Sequence, residues 1–253
     1  MDKPKICLTT YLGAIVYIAK KLPLVFHRNN DKDKTVIVLG FSRTGTSVTS
    51  GILFNLGFDM GYFPDKSDFL NPRGYFEDYF FRRLNHKILK TANGSWYNPP
   101  TKDQIAKIID KFDQTIKTTI RLRRSDLWGW KELATPFLLE SYWPHLTNPH
   151  LIICNRNHWE TYQSSLKFMR AKKHKATITL DCIEKYYQVV DKFTEKYKVK
   201  HITNNFEDLR HDPQKVVDNI IKFLNINVNP QKRQKAIDFI DPSLVHSYDN
   251  NKT

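Results

Sequence analysis

The sequence predicts an α/β fold in which a parallel β-sheet is flanked by helices on both faces. Three observations carry that prediction. The runs "TVIVLGF" (from Thr35) and "HLIICNR" (from His150) read as buried strands, and "VKHITNNF" (from Val199) reads as a third strand. A segment of helical spacing follows each one. The first strand also runs straight into a glycine-rich turn, "GFSRTGTS" over residues 40–47, that opens a helix. Alternating strands and helices imply a sheet wound by right-handed crossovers, with ligands gathered at the carboxyl ends of the strands.

Each element follows from local chemistry. Residues 46–56 read as a helix stopped by Gly57. "FFRRLNHKILK" has helical spacing. "TKDQIAKIIDKFDQTIKTTIRLRR" reads as one long amphipathic helix, with Thr101 as N-cap and Ile105, Ile108, Ile109, Phe112 and Ile116 as its apolar stripe. "LWGWKEL" suggests a short strand. In "ATPFLLESYW", Thr135 is expected to cap a helix with Pro136 in its first turn. Helices are expected from about Asn157, over "LDCIEKYYQVVDKFTEKY", and over "DPQKVVDNIIKFLNI".

The chain of 253 residues is long enough for one large domain with a full core. A polar break at residues 29–34 divides an N-terminal apolar and basic segment with its linker, residues 1–34, from the main domain expected over residues 35–253. Forty Lys and Arg stand against 26 Asp and Glu, a net charge of +14 that favours anionic partners. Local clusters at "RLRR" and "RAKKHK" also read as solvated helix faces. Cys7, Cys154 and Cys182 are far apart and odd in number, without metal or redox spacing. They point to a reducing compartment, with Cys154 as a small core residue.

The apolar run over residues 6–19 is flanked by Lys3, Lys5, Lys20 and Lys21. It is short for a membrane span and lacks a small-residue cleavage site. A packed helix, an interfacial membrane helix and a signal or anchor all stay open.

The glycine-rich turn aims backbone N–H groups and a helix N-terminus at one point, which suits a phosphate. Its spacing is close to that of an ATP- or GTP-binding loop, but Thr46 occupies the place of the phosphate-gripping lysine. The acidic Mg²⁺ partner is also missing, since the later strands end in "IICNR" and "ITNNF". Arg43 supplies a forked cation at the turn's apex instead. Arg156 stands at another strand end. Asn157 and Ser164 are two helical turns apart on one face, so that Arg156 and Ser164 together suit a second anion or form a plain surface pair.

These residues resemble the sulfotransferases that use 3′-phosphoadenosine 5′-phosphosulfate (PAPS). "GFSRTGTS" is similar to their 5′-phosphosulfate loop. "RNHWETYQS" is similar to their 3′-phosphate motif, in which a Ser follows the Arg by eight residues, as Ser164 follows Arg156. "NPRGYFEDYFFRRLNHKILKTANGSW" and "LWGWKELATPFLLESYW" resemble the Asn-Pro-x-Gly-aromatic-Glu and Trp-Gly-x-Lys blocks of a bacterial branch, and "NNFEDLRHDPQKVVDNIIKFLNI" resembles the family's late strand–helix segment. The resemblance spans roughly residues 35–226. The sequence departs from the pattern at His158 and at Glu132–Leu133, and it has no Arg-Lys-Gly clamp near the C-terminus.

The resemblance implies an enzyme with a sulfotransferase-like fold of the P-loop type, and the cysteine usage and N-terminal apolar run point to a cytoplasmic or membrane-associated location. The reaction it implies moves a sulfuryl group from PAPS to an acceptor hydroxyl or amine, without a metal, releasing 3′-phosphoadenosine 5′-phosphate. The site it implies comprises Ser42, Arg43, Thr44, Gly45, Thr46 and Ser47 around the 5′-phosphate and Arg156 with Ser164 at the 3′-phosphate. Arg43 would sit at the bridging oxygen, Lys131 over the sulfuryl oxygens, and Glu77 would act as general base, with His86 and His158 as the other candidates. Lys131 also reads as a surface lysine on an edge strand, and Glu77 as a carboxylate satisfying a helix N-terminus. Trp96, Tyr97, Trp128 and Trp130 suit either a carbohydrate acceptor or the core. The rival readings are a kinase- or NTPase-like phosphate binder and a basic, non-enzymatic anion-binding protein. Expected partners are the donor, an acceptor such as a glycan, and a membrane surface touched by residues 6–19, with no nucleic acid.

Overall fold

The fold is that of a computed structural model describing residues 8–25, 33–64, 67–173, 177–241 and 244. Lys3, Lys5, Cys7, His174, Lys175 and most of the break at residues 29–34 lie outside the described residues. A four-stranded sheet, all parallel, has the order β2-β1-β3-β4, with β1 Lys34–Leu39, β2 Leu127–Lys131, β3 Pro149–Asn155 and β4 His201–Asn205.

β1 and β3 are apolar without alternation because both faces are covered, whereas β4, at the sheet edge, is polar and mostly exposed. Ile37 and Leu39 of β1, with Leu151 and Ile153 of β3, point to one side. There they meet α3 (Tyr79–Thr91), α4 (Lys102–Ile109), α5 (Asp113–Arg123) and α8 (Leu180–Tyr197). Val36, Val38, Ile152 and Cys154 point to the other. There they meet α2 (Thr46–Leu56), α9 (Phe206–His211), α10 (Pro213–Leu224) and α11 (Pro230–Asp238). The first core is aromatic: Phe81 lies flat on Trp130, 4.0 Å between ring centres and 4° between planes. Trp128 and Trp130 are therefore core residues, not acceptor-stacking ones. Gly129 lies between them because a Cβ there would sit 1.9 Å from the Val36 carbonyl oxygen.

Helix caps follow the expected chemistry. Thr101 caps α4 in a reciprocal box with Gln104, and Gly57 ends α2 in the left-handed region at φ 105°. Two expectations are corrected. The single helix expected after Thr101 is broken by a 3₁₀ turn at Asp110–Phe112, where Phe112 enters the core between α4 and α5. No Gly or Pro marks the break. Thr135 does not cap its helix. It opens a 3₁₀ turn ahead of α6 (Leu139–Tyr142), and its hydroxyl accepts from the Trp130 indole N–H at 3.1 Å.

The first helix, α1 (Leu8–Val25), is held by polar groups as well as by buried Ala14 and the Tyr17 ring against Tyr62 and Phe80. The Tyr17 hydroxyl donates to Asp59 at 2.8 Å and meets Arg123, and Lys21 pairs with Asp59 and donates to the Arg123 carbonyl. Arg123 in turn donates to Asp78 at 2.6 Å, with both side chains fully buried. Helix α7 (His158–Ala171) leads out of β3 and is capped by the Asn157 side chain.

Candidate active site

A cavity of about 1230 Å³ lies at the carboxyl ends of the strands. Ser42, Arg43, Gly45, Thr46 and Ser47 line it from the turn after β1, Lys131 from the end of β2 and Arg156 from the end of β3. Glu77, Arg82 and His86 line it from α3 and its approach.

The turn over residues 40–45 is shaped by backbone conformation. Arg43 (φ 70°) and Gly45 (φ 89°) are left-handed, and a Cβ on Gly45 would meet Leu209 at 2.9 Å. Thr44 closes the turn on itself, donating its hydroxyl to the Phe41 carbonyl at 2.7 Å. Its side chain is therefore structural, and only its backbone is available to a ligand. Beneath the turn, Tyr186 accepts from the Gly40 N–H and Tyr187 donates to the Cys154 carbonyl. Gly45 precedes α2 without a side-chain cap, as at α5, α6 and α9, whereas Asp78, Thr101, Asn157, Thr179, Asp212 and Asn229 cap α3, α4, α7, α8, α10 and α11. The N–H groups of the first turn of α2 have no intrahelical acceptor, an arrangement that suits an anion.

The arginines and Ser164 converge on that turn. Arg43 Nε donates to Ser164 Oγ at 3.2 Å, and its Nη1 donates to the Leu70 carbonyl. Burial depresses the Arg43 pKa, yet a guanidinium starts so high that it stays charged. Arg156, 5% exposed, donates to the Arg43 carbonyl at 3.3 Å and lies on the Phe206 ring. Its fork grips Glu160 through Nε and Nη2 at 3.1 and 3.0 Å. Glu160, four residues on along α7, went unnoticed in the sequence, although i to i+4 spacing could have disclosed it.

A second group faces the same cavity. Lys131 Nζ donates to Glu77 Oε1 at 3.1 Å, and Arg82 stands 3.8 Å from Glu77 Oε2. Lys131 is 6% exposed, so it is not a surface lysine. Nor does Glu77 cap the helix it precedes, because Asp78 accepts from the Phe80 and Phe81 N–H groups. Phe76, before it, is held at φ 53°, a rare conformation for an aromatic residue. Glu132, also on the cavity wall, is buried, and burial raises its carboxyl pKa to about 7, opposed by hydrogen bonds from Asn85 and the Ala134 N–H. His86 lines the cavity and is exposed. His158 is stacked on Tyr187 at 5.3 Å instead and does not line it.

Residues 67–77 strap the open side of the turn. Ser47 donates to the Tyr75 carbonyl at 3.1 Å, the Tyr75 hydroxyl donates to Asp68, and Lys172 at the end of α7 pairs with Asp68. Arg73 ties the strap to the far side through the Phe239 carbonyl and Asp241. Among the described residues, no group of three or more His, Cys, Asp or Glu is placed to hold a metal ion. None of the described helices is long and apolar enough to cross a membrane.

The parallel sheet, the turn after β1 and the helices on both faces define a sulfotransferase-like α/β fold. The chain is similar to the crystal structure of sulfotransferase STF9 from Mycobacterium avium, with a TM-score of 0.53 and 15% identity over 90% of this chain and 72% of that one. It is also similar to sulfotransferase STF1 from Mycobacterium tuberculosis H37Rv, with a TM-score of 0.51 and 13% identity over 90% and 77%. Neither a protein-family model nor a curated protein matches the sequence.

Proposed function

We propose that the protein is a sulfotransferase that moves a sulfuryl group from PAPS to an acceptor hydroxyl or amine. One observation carries this reading. A single cavity joins an uncapped helix N-terminus and a convergent pair of arginines to a lysine–glutamate pair.

The residues present fit the donor. The N–H groups of residues 44–47 and the Thr46 hydroxyl suit a 5′-phosphate, for which the Ser47 hydroxyl exchanges the Tyr75 carbonyl, with Ser42 at the rim. Arg156 and Ser164 suit a 3′-phosphate, for which Arg156 exchanges the Glu160 carboxylate for phosphate oxygens in the same forked geometry. When bound, PAPS supplies an activated sulfuryl group on a phosphate leaving group. Arg43, fixed by Ser164 and Leu70, serves the bridging oxygen, where charge collects as the bond breaks.

Lys131 and Glu77 neutralise each other across 3.1 Å. Separating the pair frees both groups. Lys131 turns to the sulfuryl oxygens, and Glu77 accepts the acceptor's proton at its carboxylate. The transfer needs no metal in this scheme, because the guanidinium and ammonium groups supply the positive charge that positioning and electrostatic stabilisation require. Trp96 and Tyr97, edge to face on the cavity wall, offer ring surfaces to a carbohydrate acceptor.

The test is incubation with sulfur-labelled PAPS and a panel of glycans, lipids and phenols. Label on one acceptor class, lost in Glu77→Gln, supports the reading. Phosphoryl transfer from ATP to the same panel, without sulfuryl transfer, overturns it.

A further inference from the structure

We propose that the outward face of α1 docks on the surface of an anionic lipid bilayer. The helix is turned inside out. Leu12, Ile15 and Val16 are half exposed at 51, 50 and 52%, and Ala19 continues the stripe one turn on. The spacing i, i+3, i+4, i+7 places all four on one face. The opposite face carries Tyr17 and Lys21, which are taken up by Asp59 and Arg123. A helix packed on a protein surrounded by water shows the reverse arrangement, with its lysine outside and its aliphatic residues inside. The ion pairs fix the rotation of α1, so the aliphatic face cannot roll inward without breaking them.

The occupant is identified by charge. The chain carries +14, Lys20 borders the stripe, and the helices packed beside α1 expose Arg83 and Lys87 on α3 and Arg121 on α5. An apolar strip on so basic a protein suits acyl chains beneath anionic headgroups. A second copy of the chain would bring another +14 against it. With no described helix long and apolar enough to cross the bilayer, α1 lies along it. The Thr10 carbonyl accepts from Tyr62 at 3.3 Å and Thr10 lines the large cavity, so the face of α1 opposite the stripe borders that cavity.

The experiment is co-sedimentation of the full chain with vesicles of phosphatidylcholine alone and of phosphatidylcholine with phosphatidylserine. The expected result is binding to the mixed vesicles, weakened by salt, and a loss of about tenfold or more in the triple variant Leu12→Gln/Ile15→Gln/Val16→Gln. If that variant fails to fold, by its thermal midpoint, the single variant Val16→Gln is expected to fold and to bind detectably more weakly. Absence of binding by the parent, or parent-like binding by the folded variants, overturns the proposal. So does a parent dimer in sedimentation equilibrium that the same substitutions dissociate, which assigns the face to a second copy.

Discussion

Arg43 Nε and Ser164 Oγ are joined at 3.2 Å, although 121 residues separate them in sequence. The bond places the apex of the turn after β1 against α7, and the Arg156 guanidinium closes the group by donating to the Arg43 carbonyl. Whatever binds the turn therefore also meets the end of β3. Ser164→Ala is expected to remove the brace from Arg43 and to lower turnover about tenfold, with a smaller loss in binding of 3′-phosphoadenosine 5′-phosphate. Steady-state kinetics beside calorimetry separate the two effects.

Arg156 is the residue expected to distinguish a 3′-phosphate. Arg156→Ala should weaken 3′-phosphoadenosine 5′-phosphate by roughly 1–3 kcal/mol and leave adenosine 5′-phosphosulfate, which lacks the 3′-phosphate, nearly unaffected. Equal losses for the two ligands would place the 3′-phosphate elsewhere. Calorimetric titration of both ligands into the variant is the check.

Glu77→Gln keeps the shape of the side chain and removes its charge. Turnover should fall by about 10²-fold or more while binding of 3′-phosphoadenosine 5′-phosphate is retained. Undiminished turnover would pass the role of base to His86, the other candidate on the cavity wall.

Glu132 gives the fold a pH dependence of its own. Its folded-state pKa of about 7 lies above the ordinary carboxylate value, so between roughly pH 4.5 and 7 the folded chain holds a proton that the unfolded chain releases. This group's contribution to stability is full below pH 4.5 and falls as the pH rises to 7. Glu132→Gln should abolish that component and stabilise the protein relative to the parent at pH 8, by up to about 3 kcal/mol. Denaturant unfolding of parent and variant at pH 5 and pH 8 is the measurement, and an identical pH difference in both would contradict it.

Arg123 and Asp78 form a fully buried pair that also anchors Tyr17 of α1. Arg123→Met leaves the Asp78 charge buried and uncompensated and should cost about 3–5 kcal/mol of stability. The double variant Arg123→Met/Asp78→Asn should recover part of the loss, because it removes the stranded charge but keeps a side chain that can cap α3. Denaturant unfolding of both variants is the check.

The strands and the turn after β1 were legible because their signals are local. A β-branched run covered on both faces and a glycine in the left-handed region leave marks within a few residues. The Arg156–Ser164 spacing is likewise local, since Arg156 stands between β3 and α7 and Ser164 lies within α7. What the sequence hid was tertiary. Nothing near Lys131 announces that Glu77, 54 residues earlier, lies 3.1 Å from it. Glu132 reads as an ordinary charged residue until Asn85 and the Ala134 N–H are seen to enclose it. The apolar run of α1 read as a packed helix, an interfacial helix or a signal or anchor, because hydrophobicity alone does not say which face turns inward. Asp59 and Arg123 decide that. The 3₁₀ break at Asp110–Phe112 has no sequence signal, as Phe112 fits the stripe of an unbroken helix equally well.

The most direct test of the central claim is a thermal-shift measurement with 3′-phosphoadenosine 5′-phosphate and with ADP, each in the presence of EDTA and of Mg²⁺. The account predicts a rise in the midpoint of several degrees for 3′-phosphoadenosine 5′-phosphate in EDTA, unchanged by Mg²⁺, and little for ADP in either condition. A shift for ADP that depends on Mg²⁺, with none for 3′-phosphoadenosine 5′-phosphate, would contradict it and make the turn after β1 a nucleotide-triphosphate loop.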